Sequence, residues 1–137
     1  MNKKIALITG ATSGIGEACA RKFAEGGYNL ILTGRNAQKL NAIAAELQQT
    51  GVEVAALVFD VRQAEEAHKA WEGLDAAWQQ VDVLINNAGL ALGLEKEYEG
   101  DPTDWEIMID TNIKGLLTMT RLVVPGMVAR NQGHVIN

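Results

Sequence analysis

The stretch Ile5-Ala6-Leu7-Ile8-Thr9-Gly10-Ala11-Thr12-Ser13-Gly14-Ile15-Gly16 decides the fold of this 137-residue chain. Ile5 to Thr9 is a short continuous apolar run, which reads as a strand buried on both faces. A glycine-rich turn follows it without a break. Gly14 to Glu25 then has helical spacing through Ile15, Cys19 and Phe23, and Gly26-Gly27 stops it. Strand, glycine turn and helix in this order suit a phosphate. A pyrophosphate needs backbone N–H groups with no side chain in the way, and a helix N-terminus supplies donors and a favourable dipole. Gly10 allows the tight turn, Gly14 a close approach and Gly16 the packing of helix on strand. Thr12 and Ser13 add hydroxyl donors, so Gly10, Thr12, Ser13, Gly14, Ile15 and Gly16 are the candidate binding residues of the turn. A lone glycine pattern is weak, but this one follows a strand and opens a helix, as the phosphate reading requires.

Outward from that turn, apolar runs and helical patterns alternate. Asn29 to Thr33 reads as a second strand. Asn36 is a good N-cap for a helix running to about Thr50, with Leu40, Ile43, Ala44 and Leu47 on one face. Val52 to Phe59 is a third strand, Gln63 to about Gln80 a third helix and Val81 to Ile85 a fourth strand. Asp104 to about Arg130 reads as one long helix kinked at Pro125, and His134 to Asn137 begins a fifth strand. Short apolar strands without alternation belong to a parallel sheet. Right-handed crossovers then predict an α/β fold, a doubly wound parallel (Rossmann) sheet of five strands in the order 3-2-1-4-5. Residues 1–137 read as one dinucleotide-binding domain, incomplete on its C-terminal side. The long loop Ala88 to Thr103 lies at the C-terminal end of strand four, and loops of that length are often functional.

Composition narrows the partners. A net charge of −5 argues against nucleic acid, whose phosphates call for a basic surface. No window reaches the about 18 apolar residues of a membrane helix, and the apolar run at Ile5 to Ile8 is too short for a signal peptide. Cys19 is the only cysteine and reads as a small core residue. The expectation is a soluble cytoplasmic protein without an internal disulfide. His68 and His134, the two histidines, show no metal-ligand spacing, and no metal is expected.

The turn Thr9-Gly10-Ala11-Thr12-Ser13-Gly14-Ile15-Gly16, with Asp60-Val61 after strand three, Asn86-Asn87-Ala88-Gly89 after strand four and Asn112 in the long helix, resembles the short-chain dehydrogenase/reductase family. These motifs span the chain in the family's order. The resemblance implies that Asp60 and Val61 hold the adenine ring. It implies that Asn86, Ala88 and Gly89 line the cofactor and brace the sheet, and that Asn112, the catalytic candidate, organises a proton-relay water. Asp60 is alternatively a helix N-cap, and Asn112 a solvated mid-helix polar residue. The segment from Asn86 to Gly93, with Asp104-Trp105 and Asp110 to Gly115, is similar to NADP-dependent 3-hydroxy acid dehydrogenases acting on serine and related compounds.

Strand two ends Leu32-Thr33-Gly34-Arg35-Asn36. A carboxylate here would grip the ribose 2′-hydroxyl of NAD and repel a 2′-phosphate. A guanidinium instead offers charge-assisted bonds to phosphate oxygens, so Arg35 predicts NADP over NAD. A solvated surface charge is the other role open to Arg35.

The family resemblance also implies a serine after the fifth strand and a Tyr-x-x-x-Lys pair on the next helix. The sequence closes at His134-Val135-Ile136-Asn137. Tyr28 and Tyr98 have Leu32 and Pro102 four residues later, not lysine. The expectation is an NADP-dependent oxidoreductase moving a hydride between nicotinamide and an alcohol or carbonyl, with a 3-hydroxy acid such as serine as a candidate substrate. The 137-residue piece alone is expected to be inactive. The alternatives are a non-catalytic nucleotide-binding or scaffold protein and a Rossmann-type sugar-nucleotide epimerase. Trp105, Ile109, Ile113, Leu116, Leu117 and Met119 crowd the long helix. The family resemblance implies that this helix, residues 104–130, joins a homo-oligomer interface.

Overall fold

Strands β1 (Ile5–Ile8), β2 (Asn29–Gly34), β3 (Val54–Val58), β4 (Val83–Ile85) and β5 (His134–Ile136) form one parallel sheet in the order β3-β2-β1-β4-β5. The computed structural model describes residues 3–12, 14–93 and 95–137. Leu7 of β1 lies opposite Ile31 on one side and Leu84 on the other, and Leu84 lies opposite Val135. The expected strand order is the one observed.

Successive side chains of a strand leave opposite faces, and β1 divides its apolar residues accordingly. Ala6 and Ile8 pack with Leu30, Leu32, Leu40 and Leu47 beneath α1 (Gly14–Glu25) and α2 (Ala37–Gln48). Ile5 and Leu7 pack with Ile31, Leu84, Met119 and Val123 on the other face, against α3 (Ala64–Glu72) and α5 (Leu116–Arg130). Both faces of the central strands are therefore covered, which is why all of β1 and β2 is buried. Asn36 caps α2 as expected, its Oδ1 accepting from the Lys39 N–H at 3.0 Å. Cys19 is half-buried against the first of these clusters.

Two helices differ from the sequence reading. The third stops at Glu72, not near Gln80: the Gly73 and Leu74 N–H groups close on Lys69 and Trp71, and a separate turn from Asp75 to Gln79 follows. The long helix is not one α-helix kinked at Pro125. It begins as α4 (Pro102–Ile109), with Asp101 as N-cap bonding the Thr103 N–H. It widens into a π-helical segment at Asp110–Gly115 and resumes as α5, which runs through Pro125. A π segment inserts extra backbone into the helical ladder, and Asn112 within it bonds the Leu90 main chain. The edges of β3 and β4 are shorter than the apolar runs Val52–Phe59 and Val81–Ile85, because pairing ends before the apolar residues do.

The chain winds outward from β1 to β3, then crosses back to place β4 on the other side of β1. The sheet order thus reverses beside β1, at the carboxyl ends of β1 and β4. Connections leave in opposite directions there and open a crevice, the usual ligand site of such sheets.

Candidate functional site

A cleft of about 660 Å³ occupies this crevice. Gly10, Thr12 and Ile15 line it from the glycine turn, and Gly34 and Arg35 from the end of β2. Asp60 and Val61 follow from the end of β3, Ala88 and Gly89 from the end of β4, and Thr111 from the π segment. Of the other sequence candidates, Gly14 and Gly16 stand beside the cleft in α1, while Asn86 and Asn112 lie behind its wall. Ser13 lies outside the described residues.

The glycine turn is held from below. Gly10 has φ +61°, and a Cβ there would come within 2.9 Å of the Ala88 Cα. It therefore needs both a left-handed conformation and a bare backbone. Gly14 also has a positive φ, +57°, with open space around its missing side chain. A Cβ on Gly16 would overlap the Gly10 carbonyl and the Asn87 amide, so helix and turn meet there at backbone distance. The amide responsible is Asn87 Nδ2, which donates to the Thr9 and Gly10 carbonyls at 3.1 and 3.0 Å. Thr9 completes the clamp. Its buried Oγ1 accepts from the Asn87 and Ala88 N–H groups at 3.0 and 2.9 Å and donates to the Ile85 carbonyl at 3.4 Å. One hydroxyl and one amide thus lock the end of β1 to the end of β4 and satisfy backbone groups that the parallel ladder has released.

Charge is concentrated at the β2–β3 end. The Asp60 Oδ1 accepts from the Arg62 N–H at 2.9 Å, an Asx-type turn. Its Oδ2 accepts from Arg62 Nε and Nη2 at 2.9 and 2.7 Å. Burial pushes the Asp60 carboxyl up, but the Arg62 bonds and charge, with a contribution from Arg35, outweigh it and hold the carboxyl below the ordinary aspartate range. Asp60 does not cap α3, whose N-cap position is Gln63. Arg35 is exposed and makes no side-chain hydrogen bond or ion pair among the described residues.

Two asparagines brace the far wall. Asn86 Nδ2 donates to Thr120 Oγ1 at 3.2 Å and Asn137 Oδ1 at 3.1 Å, tying β4 to α5 and to the end of β5. Asn112, in the π segment, pairs with the Leu90 main chain. Its Oδ1 accepts from the Leu90 N–H at 2.9 Å, and its Nδ2 donates to the Leu90 carbonyl at 2.8 Å. Gly89 sits against this pair, where a Cβ would stand 3.0 Å from Asn112 Oδ1.

Sequence reasoning passed over Thr9, Asn87, Arg62 and Thr111. Thr9 counts within the apolar run of the first strand, and the only local signal of its role is a hydroxyl at the strand's carboxyl end. Asn87 was read together with Asn86, yet the two amides face different neighbours. Arg62 follows Asp60 at the spacing of an Asx turn, which was readable. Thr111 and Thr33 line the cleft with buried hydroxyls that have no hydrogen-bond partner among the described residues.

Among the described residues no group of three or more His, Cys, Asp and Glu side chains is arranged to hold a metal ion. No described helix is long and apolar enough to cross a membrane.

Sheet order, bare glycine turn and cleft together define a Rossmann-type α/β protein. Residues 4–137 match the family model described as short chain dehydrogenase, and the chain belongs to that family. It is 51% identical over 133 residues to the NADP-dependent 3-hydroxy acid dehydrogenase YdfG of Salmonella typhi, covering 97% of this chain and 52% of that protein. It is 51% identical over 137 residues to a probable NADP-dependent dehydrogenase of Haemophilus influenzae, covering 100% of this chain and 53% of that protein. The crystal structure of serine dehydrogenase from Escherichia coli superimposes with a TM-score of 0.88 at 47% identity, over 97% of this chain and 60% of that one. The closed form of serine dehydrogenase complexed with NADP+ gives 0.89 at 47% identity, over 97% and 52%. The chain spans about half the length of the curated relatives it matches.

Proposed function

We propose that this chain forms the cofactor-binding part of an NADP-dependent oxidoreductase acting on a small hydroxy acid or the matching carbonyl compound, with a 3-hydroxy acid such as serine as the substrate class. The observation that carries the cofactor choice is Arg35, an exposed guanidinium at the end of β2 with no hydrogen bond or ion pair among the described residues, in the same cleft as the glycine turn. The relatives' names, NADP-dependent 3-hydroxy acid dehydrogenase and serine dehydrogenase, support both halves of the reading.

The residues present fit a dinucleotide phosphate. The bare backbone at Gly10 and Gly14, the hydroxyl of Thr12 and the N-terminus of α1 suit the pyrophosphate. Arg35 suits the 2′-phosphate. Asp60 and Val61 would border the adenine, and Ala88 and Gly89 the nicotinamide half. The hydroxyls of Thr33 and Thr111, without a partner among the described residues, offer further donors into the cleft. When bound, the nicotinamide supplies or accepts the hydride. The chain's own residues orient it: Thr9 and Asn87 fix the floor, and Asn112 fixes Leu90 beside Gly89. Each amide atom of Asn112 makes one bond to the Leu90 main chain, which leaves one N–H and one lone pair of the side chain for a relay water.

The 137 residues contain no Tyr-x-x-x-Lys pair. By themselves they should bind cofactor without turnover, and the site in the cell would be cytoplasmic, where NADP is available. Trp105, Ile109, Ile113 and Leu117 are exposed at four-residue intervals along α4, the π segment and α5. We assign this stripe to a homo-oligomer contact. Leu117→Asp should lower the molar mass measured by light scattering, and an unchanged mass would refute the assignment.

Arg35→Ala tests the cofactor choice. Hydrogen bonds to charged groups contribute about 1.5–3 kcal/mol, so NADP+ should bind roughly 10- to 100-fold more weakly in calorimetric titration while NAD+ binding changes little. Equal losses for both cofactors would refute it.

A further inference from the structure

Leu90 lines the cleft of the glycine turn, and Leu92 and Gly93 line a second cavity of about 400 Å³, so the segment between them borders both. Two side chains of the long helix, four positions apart, hold this segment by its main chain. Asn112 bonds the Leu90 N–H and carbonyl. Met108 Sδ accepts from the Leu92 N–H at 3.3 Å. The first tether is an amide, inert to peroxides. The second is a thioether, the side-chain group that a peroxide converts to a sulfoxide. Met108 is half-buried and lines the second cavity beside Leu92 and Trp105, both exposed. Met119 and Met127, the other methionines among the described residues, are 2% and 5% exposed within the core. The Gly133 backbone closes over Met127, where a Cβ would stand 2.5 Å from its Sδ. Met108 also stands off the exposed stripe that contains Ile109: one residue earlier, it is turned about 100° round the helix, towards the Leu92 main chain.

We propose that Met108 is a site of reversible oxidation by hydroperoxides, and that its sulfoxide releases Leu92 and loosens this wall of the cleft. The Met108 sulfur has two lone pairs, and the Leu92 N–H engages one of them. The other attacks the outer oxygen of the peroxide. An S–O bond forms and the O–O bond breaks. The proton on the transferred oxygen passes to the departing one, which leaves as water or an alcohol. The sulfur gives up two electrons and the peroxide takes them. The sulfur of a sulfoxide is positively polarised and accepts poorly, so the Leu92 amide loses its partner. The new oxygen is a stronger acceptor, but it sits on the other lone pair, and reaching it takes the Leu92 main chain out of place. Asn112 still holds Leu90, which confines the change to the Leu92 end. Methionine sulfoxide reductases reverse the reaction. The site stands independently of the NADP reading, since neither the sulfur nor its bond to Leu92 involves the cofactor.

The test is treatment of the protein with hydrogen peroxide, followed by tryptic peptide mass spectrometry and deuterium exchange. Trypsin cuts after Lys114, Arg121 and Arg130 and so places Met108, Met119 and Met127 on separate peptides. The Met108 peptide should gain one oxygen about tenfold faster than the other two. In the oxidised protein the Leu92 amide should exchange about tenfold faster than before, and methionine sulfoxide reductase should restore its protection. Met108→Leu should show the faster Leu92 exchange from the start and no response to peroxide. Oxidation of Met108 no faster than that of Met119 or Met127 would overturn the proposal. So would a sulfoxide at Met108 with Leu92 exchange unchanged, which would make the thioether a bystander. Should Met108→Leu fail to fold, wild-type protein before peroxide, after it and after the reductase gives the same comparison. None of these measurements uses NADP+, so a protein found to bind no NADP+ would end the cofactor reading and leave this one standing.

Discussion

Replacing Thr9 by valine should destabilise the protein even though valine is the more apolar, nearly isosteric side chain and the site is buried. Thr9 is 1% exposed. Its Oγ1 accepts two backbone N–H groups, from Asn87 and Ala88, and donates to the Ile85 carbonyl. Valine orphans both donors. An unsatisfied buried donor costs about 1–3 kcal/mol, which sets a span of about 2–6 kcal/mol for two. Both amides border the cleft, so water reaches them in part, and the lower end applies, about 2–3 kcal/mol. The extra methyl-like surface of valine returns at most about 1 kcal/mol. Thr9→Ser is the control: it keeps the hydroxyl and loses one buried methyl, about 1 kcal/mol. The order of stability should therefore be Thr, then Ser, then Val, whereas burial alone would place Val first. Equilibrium urea unfolding of the three proteins measures it, with unchanged m-values licensing the comparison. Valine equal to or more stable than serine at this position would refute the clamp as a source of stability.

Asn112→Ala removes both bonds to the Leu90 main chain, so the Leu90 amide should exchange with solvent deuterium about tenfold faster, corresponding to roughly 1–2 kcal/mol of local opening; unchanged protection would show that the π segment holds the loop without it. The Asp60 carboxyl is lowered in the folded protein, so its contribution to stability is present above the ordinary aspartate value of about 3.9 and is lost as pH falls through the lowered folded value. Acid unfolding followed by circular dichroism should accordingly be shallower for Asp60→Asn than for wild type below about pH 4, and identical slopes would refute the linkage.

How much was legible in the sequence can be followed residue by residue. The Ile5–Thr9 run and the turn after it specified strand, left-handed glycine and helix through local chemistry, and the structure has them in place. Asn36 was readable as a cap because capping involves only the next three residues. The π segment was not readable. Residues 104–130 have continuous helical spacing, and what widens the ladder at Asp110–Gly115 accompanies a bond from Asn112 to Leu90, 22 positions away in the chain. Thr9 and Asn87 failed to register for the same reason: their partners lie 76–79 positions away.

The sequence alone determined the strands, the first two helices, the parallel strand order and the family, because periodicity, glycine placement and capping act over a few residues and crossover handedness acts on every strand pair alike. The pairing of Arg62 with Asp60 was still within its reach, two positions apart. Only the tertiary structure decided which polar groups meet across the cleft: the Thr9–Asn87 clamp between β1 and β4, the Asn112–Leu90 pair, and the presence of Arg35 and Asp60 in one lining. Those contacts exist because the sheet order reverses beside β1 and brings to one crevice the ends of strands that the sequence keeps far apart.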